Sequence, residues 1–392
     1  MKKKEIKLID YFGIKTLHEM INTCLVIICS HIFSKVTYIS GKSSNVNIKK
    51  LYIQKNNNEI NNVIFKSIPI CKRDTSLGAL FRTIHGFFIT LIEYICTKKT
   101  TVLMYVYTNP LSFPIILILN IIFRKDIIFT MHGELELQKK RVPLYKPSAL
   151  YKHLYKIGFK YLIRRSPAYI LVLGKSIQDN LCSIYPQLNG QIITINHPYF
   201  FNQSIRKQTL RNHTPLIIGT IGVMKKEKGF KNLIELSNIL KNEIEEKRLI
   251  IKSIGKVEVE NYHANRTIEW IGGNDVLPRE EFEKQIEQLD YILYLYPSNS
   301  YKLTASGAIM DAIKLQKPII SLKNDFFCEL LKDYPIGYLK CSIEELADVI
   351  KDLIYHQKNI NFEQNFKKIA ERISIPYNTI VLKEELKDKG II

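Results

Sequence analysis

The chain has 392 residues, 46% of them hydrophobic and 24% charged, a balance that suits a globular protein of about two domains and excludes a fibrous or disordered one. Its formal net charge of +20 is lopsided: residues 1–200 carry 28 Lys and Arg against 10 Asp and Glu, and residues 201–392 carry 29 against 27. A basic half joined to a near-neutral half implies a domain that faces an anionic surface, and seven cysteines without a C-x-x-C pair read as reduced thiols, which excludes a disulfide scaffold.

The N-terminus, "MKKKEIKLID", starts like a signal peptide, but Glu5, Lys7 and Asp10 stand where its apolar core should be. The runs "CLVIIC" (Cys24 to Cys29) and "FPIILILNIIF" (Phe113 to Phe123) fall short of the roughly 20 residues of a spanning helix. A soluble or peripheral protein is therefore expected, on the cytoplasmic side of the membrane. From there the chain alternates. "IKLIDYF" predicts a strand, "LHEMINTCLVIICSHIF" a helix, and "KVTYIS" and "NVIFKSI" strands with the loop "KNNNEINN" before the second. "LGALFRTIHGFFITLIEYICTK" predicts a long helix, "TVLMYVYT" a strand, "PLSFPIILILNIIF" a helix and "DIIFTMHG" a strand. "SALYKHLYKIGFKYLIRR" is helical, and "AYILVLG" and "QIITIN" are strands. After the polar stretch Asn196 to Pro215 the rhythm restarts: strands "PLIIGTIG", "RLIIKSIG", "TIEWIG", "YILYLYP" and "PIIS" are interleaved with helices "FKNLIELSNILKNEI", "REEFEKQIEQL", "GAIMDAIKLQ" and "FFCELL". "SIEELADVIKDLI" and "FEQNFKKIAERIS" close the pattern as helices.

Such alternation predicts an α/β protein of two Rossmann-like, doubly wound parallel sheets. The divisions are residues 1–198, residues 199–372, and a tail, 373–392, expected to pack back on the first domain. Ligands of open parallel sheets bind at the carboxyl ends of the strands, so the loops there are the candidate sites.

In "GTIGVMKKEKGFKNL" a strand ends near Gly222 and a helix begins near Gly229. Gly222 lets the backbone approach a ligand, and Lys225, Lys226 and Lys228 stand beside a helix N-terminus, which favours anions. The plain alternative is a solvated basic loop. In "SYKLTASGAIMDAI" a helix starts with Ser306 and Gly307, whose amides can approach phosphate oxygens. Tyr301 and Lys302 add a hydroxyl and a charge, and Asp311 can accept from ribose hydroxyls. Here the alternative is a plain cap with a first-turn dipole partner. In "TMHGE" His132 and Glu134 follow a strand directly, and Gly13 sits in the first strand-to-helix turn.

Taken together, "IGVMKKEKGFKNLIEL", "LDYILYLYPS" and "SYKLTASGAIMDAIKLQKPII" resemble, in order and spacing over about 110 residues, the retaining GT-B glycosyltransferases of capsule and lipopolysaccharide synthesis, in a divergent branch. The resemblance implies sugar transfer from a nucleotide-diphosphate sugar to a glycan or lipid-linked acceptor in cell-surface polysaccharide synthesis. It implies Lys228 on the donor diphosphate and Asp311, in the place of the family's second Glu, on the ribose. It also implies a catalytic role for His132 beside Lys228, and donor binding by Gly13, Gly222, Lys225, Tyr301, Lys302, Ser306 and Gly307. The family's Arg is replaced by Val223 and its first Glu by Leu303. No D-x-D pattern stands where a metal would need it, so neither a metal nor a cofactor is expected.

The segment Ala149 to Arg165 aligns Tyr151, Tyr155, Phe159 and Leu162 in a stripe rimmed by Lys152, His153, Lys156, Lys160, Arg164 and Arg165. That pattern suits an anionic membrane surface. Two other functions compete. A nucleotide-sugar 2-epimerase would need acidic residues for proton abstraction, and few are in view. A nucleic-acid-binding protein would need a recognition motif, and none is present.

Overall fold

The computed structural model describes residues 4–15, 17–55, 62–71, 75–201, 214–356 and 360–392. The chain divides into two units. One comprises Met1–Phe200, Leu303–Ala305 and Arg372–Ile392, and the other Phe201–Lys302 and Ser306–Glu371.

The first unit is built on seven parallel strands: β1 (Glu5–Asp10), β2 (Lys35–Gly41), β3 (Val63–Ile68), β4 (Thr101–Tyr105), β5 (Ile127–Thr130), β6 (Ala168–Val172) and β7 (Ile192–Thr194). Their order in the sheet is β3-β2-β1-β4-β5-β6-β7. The helices between them are α1 (Glu19–Ile32), α2 (Lys42–Lys55), α3 (Ser76–Cys96), α4 (Phe113–Phe123), α5 (Pro147–Ile157) and α6 (Lys175–Ile184). A parallel sheet covered on both faces needs strands apolar on both sides. Accordingly all of β4 and β5 is buried. The chain leaves β1 toward β2 and β3 on one side and crosses to β4 on the other, so the order reverses between β1 and β4. Ligands of such sheets bind at that point.

The second unit repeats the plan with β8 (Leu216–Ile221), α7 (Phe230–Ile239), α8 (Lys241–Glu245), β9 (Leu249–Lys256), β10 (Ile268–Gly273), α9 (Arg279–Glu287) and β11 (Tyr291–Tyr294). It continues through α10 (Ala308–Lys314), β12 (Ile319–Leu322), α11 (Asp325–Leu330), β13 (Gly337–Lys340), α12 (Ile343–His356) and α13 (Glu363–Arg372). The order is β10-β9-β8-β11-β12-β13, all parallel. The reversal falls between β8 and β11.

The last helix, α14 (Ile375–Asp388), belongs to the first unit. Ser374 caps it by accepting from the Tyr377 amide, and Pro376 occupies its first turn. Leu382, Leu386 and Ile391 join the core formed by α1 and the sheet. Almost every residue of α1 from Ile21 to Ile32 is buried, as a helix covered on more than one side requires.

Several elements depart from the sequence expectation. Helix α2 is too polar to show a clear apolar stripe, and it buries only Ser44, Asn45, Ile48 and Tyr52. Helices α6 and α14 and the four-residue strand β13 also lie outside that expectation, and the tail has no apolar run. The 149–165 helix is not uniform: α5 ends at Ile157, a π turn spans Gly158–Leu162, and a short 3-10 turn follows. Its aromatic stripe does not face outward. Tyr155 and Phe159 are buried and pack on Phe113 of α4, with ring centroids 5.6 and 5.5 Å apart. The continuous apolar runs are too short to span a membrane, yet α3, with 21 residues, is long and apolar enough by length and composition. Arg82 and Glu93 interrupt it and hid it among shorter runs. Most of the loop expected at Lys55 to Asn62 and most of the stretch Asn196 to Pro215 lie outside the described residues.

If α14 is part of the first unit's core, Leu382→Ala lowers stability by about 2–5 kcal/mol. Ile380→Ala on the exposed side of the same helix costs under about 0.5 kcal/mol. Urea unfolding followed by far-ultraviolet circular dichroism reads both, and equal costs would show that the helix packs on nothing.

Candidate functional site

In the second unit the carboxyl ends of β8 and β11 lie side by side, and the loops that follow them meet. Gly222, at the end of β8, and Gly229, just before α7, both have left-handed backbones, with φ of 84° and 90°, which glycine adopts without strain. Gly229 is also confined by space, because a Cβ there would overlap the carbonyl of Leu295, just past β11. The Asn232 side chain donates to that same carbonyl at 2.9 Å, and Ser300 Oγ donates to the Glu227 carbonyl at 3.4 Å. The lysine-rich loop is thus seated on the loop that carries Tyr301 and Lys302.

The three lysines differ in what they hold. Lys225 pairs with Glu258 at 2.8 Å. Lys302 pairs with both oxygens of Asp325 at 2.7 and 2.8 Å, so much of the charge assigned to a ligand is already balanced. Lys228 is half-buried, and among the described residues its ammonium makes no ion pair or hydrogen bond. Burial first, and then the neighbouring Lys225, pull its pKa below the usual lysine range, with Glu258 opposing. A desolvated cation without a contact partner is costly, and an arriving anion relieves that cost.

Tyr301 has φ 54°, uncommon for an aromatic residue, and its ring stacks on the buried Tyr296 at 4.4 Å. Ser306 is buried beside the Tyr296 hydroxyl. Helix α10 starts at Ala308, two residues later than Ser306, and Gly307 is its uncapped N-terminal residue. A side chain at Gly307 would meet nothing within 4 Å, so that position is open. The helix has only 7 residues, and its dipole is correspondingly weak. Asp311 accepts from Arg279 Nη2 at 2.6 Å. Arg279, on α9, is a partner that the spacing of the motif could not reveal. Val223 is half-exposed and contributes no charge.

In the first unit the turn after β1 is organised by Asp10. Its buried carboxylate accepts from the amides of Gly13 (2.8 Å) and Phe12 (3.0 Å), from Asn22 Nδ2 (2.9 Å) and from the Tyr38 hydroxyl (3.3 Å). A Cβ on Gly13 would overlap that carboxylate. Gly13 therefore closes the turn, and its amide is already engaged. His132, after β5, stacks on His18 at 5.5 Å and 15°. Its Nε2 is buried without a hydrogen-bond partner, and burial, with His18 and His197 nearby, holds its pKa well below the ordinary histidine value. It is neutral at pH 7. Glu134 is buried with Oε1 unpartnered, and burial pushes its carboxyl up to about 7. His18 and Asp10 were absent from the sequence-derived site. The signal for Asp10 was an acid at the carboxyl end of a strand, next to a glycine turn. Leu303, where an acid was missed, is itself fully buried. Its amide, which belongs to the first unit, donates to Glu136 Oε1 at 2.8 Å, so a carboxylate stands beside that position. Among the described residues no group of three or more His, Cys, Asp or Glu side chains is arranged to hold a metal ion.

Residues 201–372 match the family model described as glycosyl transferases group 1. Among solved structures, HepE from Anabaena in complex with UDP and glucose superposes with a TM-score of 0.59 at 13% identity, over 100% of both chains. WaaG, a glycosyltransferase involved in lipopolysaccharide biosynthesis, superposes with a TM-score of 0.60 at 10% identity, over 97% of this chain and 98% of that one. A glycosyltransferase from Rickettsia africae gives 0.58 at 12%, over 99% and 98%. These likenesses establish the fold. No curated protein matches the chain in sequence.

Two buried groups of the first unit make its stability pH-dependent in opposite senses. Glu134 titrates near 7 against 4.5 ordinarily, so its contribution is complete below about pH 4.5 and lost as pH rises to 7. His197, pushed down to about 4 from 6.5, contributes fully above 6.5 and loses that contribution as pH falls to 4. Glu134→Gln removes the first dependence only. Its stability relative to wild type is predicted to rise by on the order of 3 kcal/mol between pH 4.5 and 7. Denaturant titrations at several pH values measure it, and parallel curves would place Glu134 in contact with water.

Proposed function

Because residues 201–372 match the family model described as glycosyl transferases group 1 and the chain has the GT-B fold, we propose that it transfers a sugar from a nucleotide-diphosphate donor to a glycan or lipid-linked acceptor. The observation that carries the reading is Lys228: a half-buried ammonium without an ion-pair partner among the described residues, where the sheet order reverses. That setting supports a role in receiving an anion.

In the reaction, the bond between the anomeric carbon and the diphosphate oxygen breaks, and a bond from that carbon to an acceptor hydroxyl forms. Negative charge grows on the leaving diphosphate while the sugar becomes oxocarbenium-like. A fixed cation in a partly desolvated site stabilises that charge more than water does. Lys228 supplies it, Gly222 lets the phosphates approach the backbone, and Asp311 takes the ribose hydroxyls once Arg279 yields. Tyr301, stacked on Tyr296, borders the donor, together with Ser306 and Gly307. Lys225 and Lys302 tune the local field through their carboxylate partners. In the first unit His132 is neutral and Glu134 changes charge near pH 7. They are assigned to the reacting sugar and the acceptor hydroxyl.

Retention of configuration, independence from metal and a role in cell-surface polysaccharide synthesis follow from the family resemblance and belong to the same proposal. HepE was solved with UDP, so uridine diphosphate is the first nucleotide to test. The positive excess of residues 1–200 suits an enzyme peripheral to the inner face of the cytoplasmic membrane, where a lipid-linked acceptor is presented. The 2-epimerase reading has weaker support, since the acidic groups of the second unit's loops are held by cations: Asp311 by Arg279, Asp325 by Lys302 and Glu258 by Lys225.

Lys228→Ala is predicted to lower turnover by about 10²-fold, roughly 2.7 kcal/mol of barrier, in an assay of donor consumption. A change within about twofold would reduce Lys228 to a surface lysine. Asp311→Ala is predicted to weaken nucleotide binding by roughly 1.5–3 kcal/mol in calorimetric titration. Arg279→Ala, which frees the carboxylate, leaves affinity close to wild type. Equal losses in both variants would mean that Asp311 serves only the ion pair.

A further inference from the structure

Helix α3 is built inside out. Its buried residues are Gly78, Arg82, Thr83, Gly86, Thr90 and Tyr94, which are small or polar. Its exposed large hydrophobic residues are Leu77, Phe81, Ile84, Phe88, Ile92 and Ile95, and Ser76, His85 and Cys96 are exposed beside them. The hydrophobic residues recur at steps of three and four, so they form one continuous stripe opposite the buried face. A surface helix of a water-soluble domain has the reverse arrangement. At 1.5 Å per residue the 21 residues make a stripe about 30 Å long; no Lys, Arg, Asp or Glu lies on it, and His85 is its one titratable ring. Glu93, at its margin, is held by Lys7 at 2.9 Å.

The neighbouring helix continues the surface. Thr90 donates to Ser112 Oγ at 2.7 Å and Tyr94 to Asn120 Oδ1 at 3.0 Å, which fixes α4 alongside α3. The outer residues of α4 are Ile115, Ile118, Ile122 and Phe123, and Ile122 is 73% exposed. Lys98, Lys99 and Arg124 are exposed where the two helices end. Next in line, α5 packs on α4 through Phe113 and Tyr155 and exposes Lys156, with Lys160 and Arg164 beyond it.

We propose that the α3–α4 face is the surface by which the first unit enters an anionic lipid bilayer, both helices lying in the plane of the interface. The inference deepens the membrane part of the proposed function and is independent of sugar transfer. Spanning is excluded by the inner face of α3, which is fixed to its own domain: Gly86 packs against the Tyr11 ring, and Arg82 donates to the Cys71 carbonyl at 3.2 Å. Apolar side chains reach the acyl boundary while the basic rim meets the headgroups. The charge of residues 1–200 complements anionic lipid, each nearby cation adding to the attraction. Tyr155 and Phe159 of the aromatic stripe are buried; α5 contributes its lysines, and α3 and α4 contribute the apolar contact.

The test is flotation with phosphatidylcholine vesicles, with and without phosphatidylglycerol, at low and high salt. Wild type is expected to float with the anionic vesicles and to retain part of that binding at high salt. The variant Ile84→Ser/Phe88→Ser/Ile92→Ser/Ile122→Ser changes only exposed positions, so its circular dichroism and melting should match wild type. Its bound fraction should fall at least about tenfold and lose the salt-resistant part. Lys98→Gln/Lys99→Gln/Arg124→Gln should lose mainly the salt-sensitive part. Equal flotation of the serine variant and wild type overturns the assignment. So does a wild type that ignores vesicles but sediments as a dimer that the serine variant dissolves, which would make a second copy the occupant. Nucleotide affinity, measured in the same samples, reads the second unit and separates failure of this inference from failure of the sugar-transfer reading.

Discussion

The placement of the candidate donor site depends on one close approach, that of the Gly229 backbone to the carbonyl of Leu295. With φ at 90° and no room for a Cβ, Gly229 can be no other residue without moving the loop. The contact fixes the distance between the segment after β8 and the segment after β11, and Asn232 secures it from the side. Lys228, Tyr301 and Lys302 are neighbours because of it. A side chain at Gly229 would separate the lysine loop from Tyr301 before it altered any charge.

On that scaffold, electrostatics sorts residues that look alike in sequence. Lys225 and Lys302 are balanced by Glu258 and Asp325, and pairs this exposed contribute little to stability. Lys228 has burial without a contact partner, a costly arrangement that an anionic ligand turns favourable. The same principle operates in the first unit with the opposite sign. Asp10 collects four donors and still has a raised pKa, because burial outweighs them. Glu134 has a buried oxygen without a partner and sits near 7. Asp10 holds a turn together, whereas the Glu134 carboxyl keeps one oxygen unpartnered.

The alternation of strands and helices was legible because buried parallel strands must be apolar throughout and their crossover helices must show a stripe. The two-sheet plan follows from that, whereas the strand order, and with it the switch points, does not. Helix α2 was not legible, because a polar helix on a sheet edge buries too few side chains to leave a period. Helix α14 was missed because its apolar contacts, Leu382, Leu386 and Ile391, are spread over a charged segment. The aromatic stripe of α5 shows the limit of periodicity: spacing reveals that Tyr155 and Phe159 share a face, not whether that face meets lipid or a sheet. For α3 the stripe was visible as apolar residues, but the reversal of its inside and outside was not. In the candidate site, the lysines, Tyr301 and Asp311 could be read from motif spacing. Their partners Glu258, Asp325 and Arg279, which decide what charge remains, come from distant segments and could not.

The most direct test of the central claim is a crystal structure of the chain with uridine diphosphate bound. A diphosphate oxygen is expected about 2.7–2.9 Å from Lys228 Nζ, with the ribose hydroxyls on Asp311 and Arg279 turned away. Nucleotide bound with Lys228 still lacking an anionic contact, or bound away from the ends of β8 and β11, would contradict it.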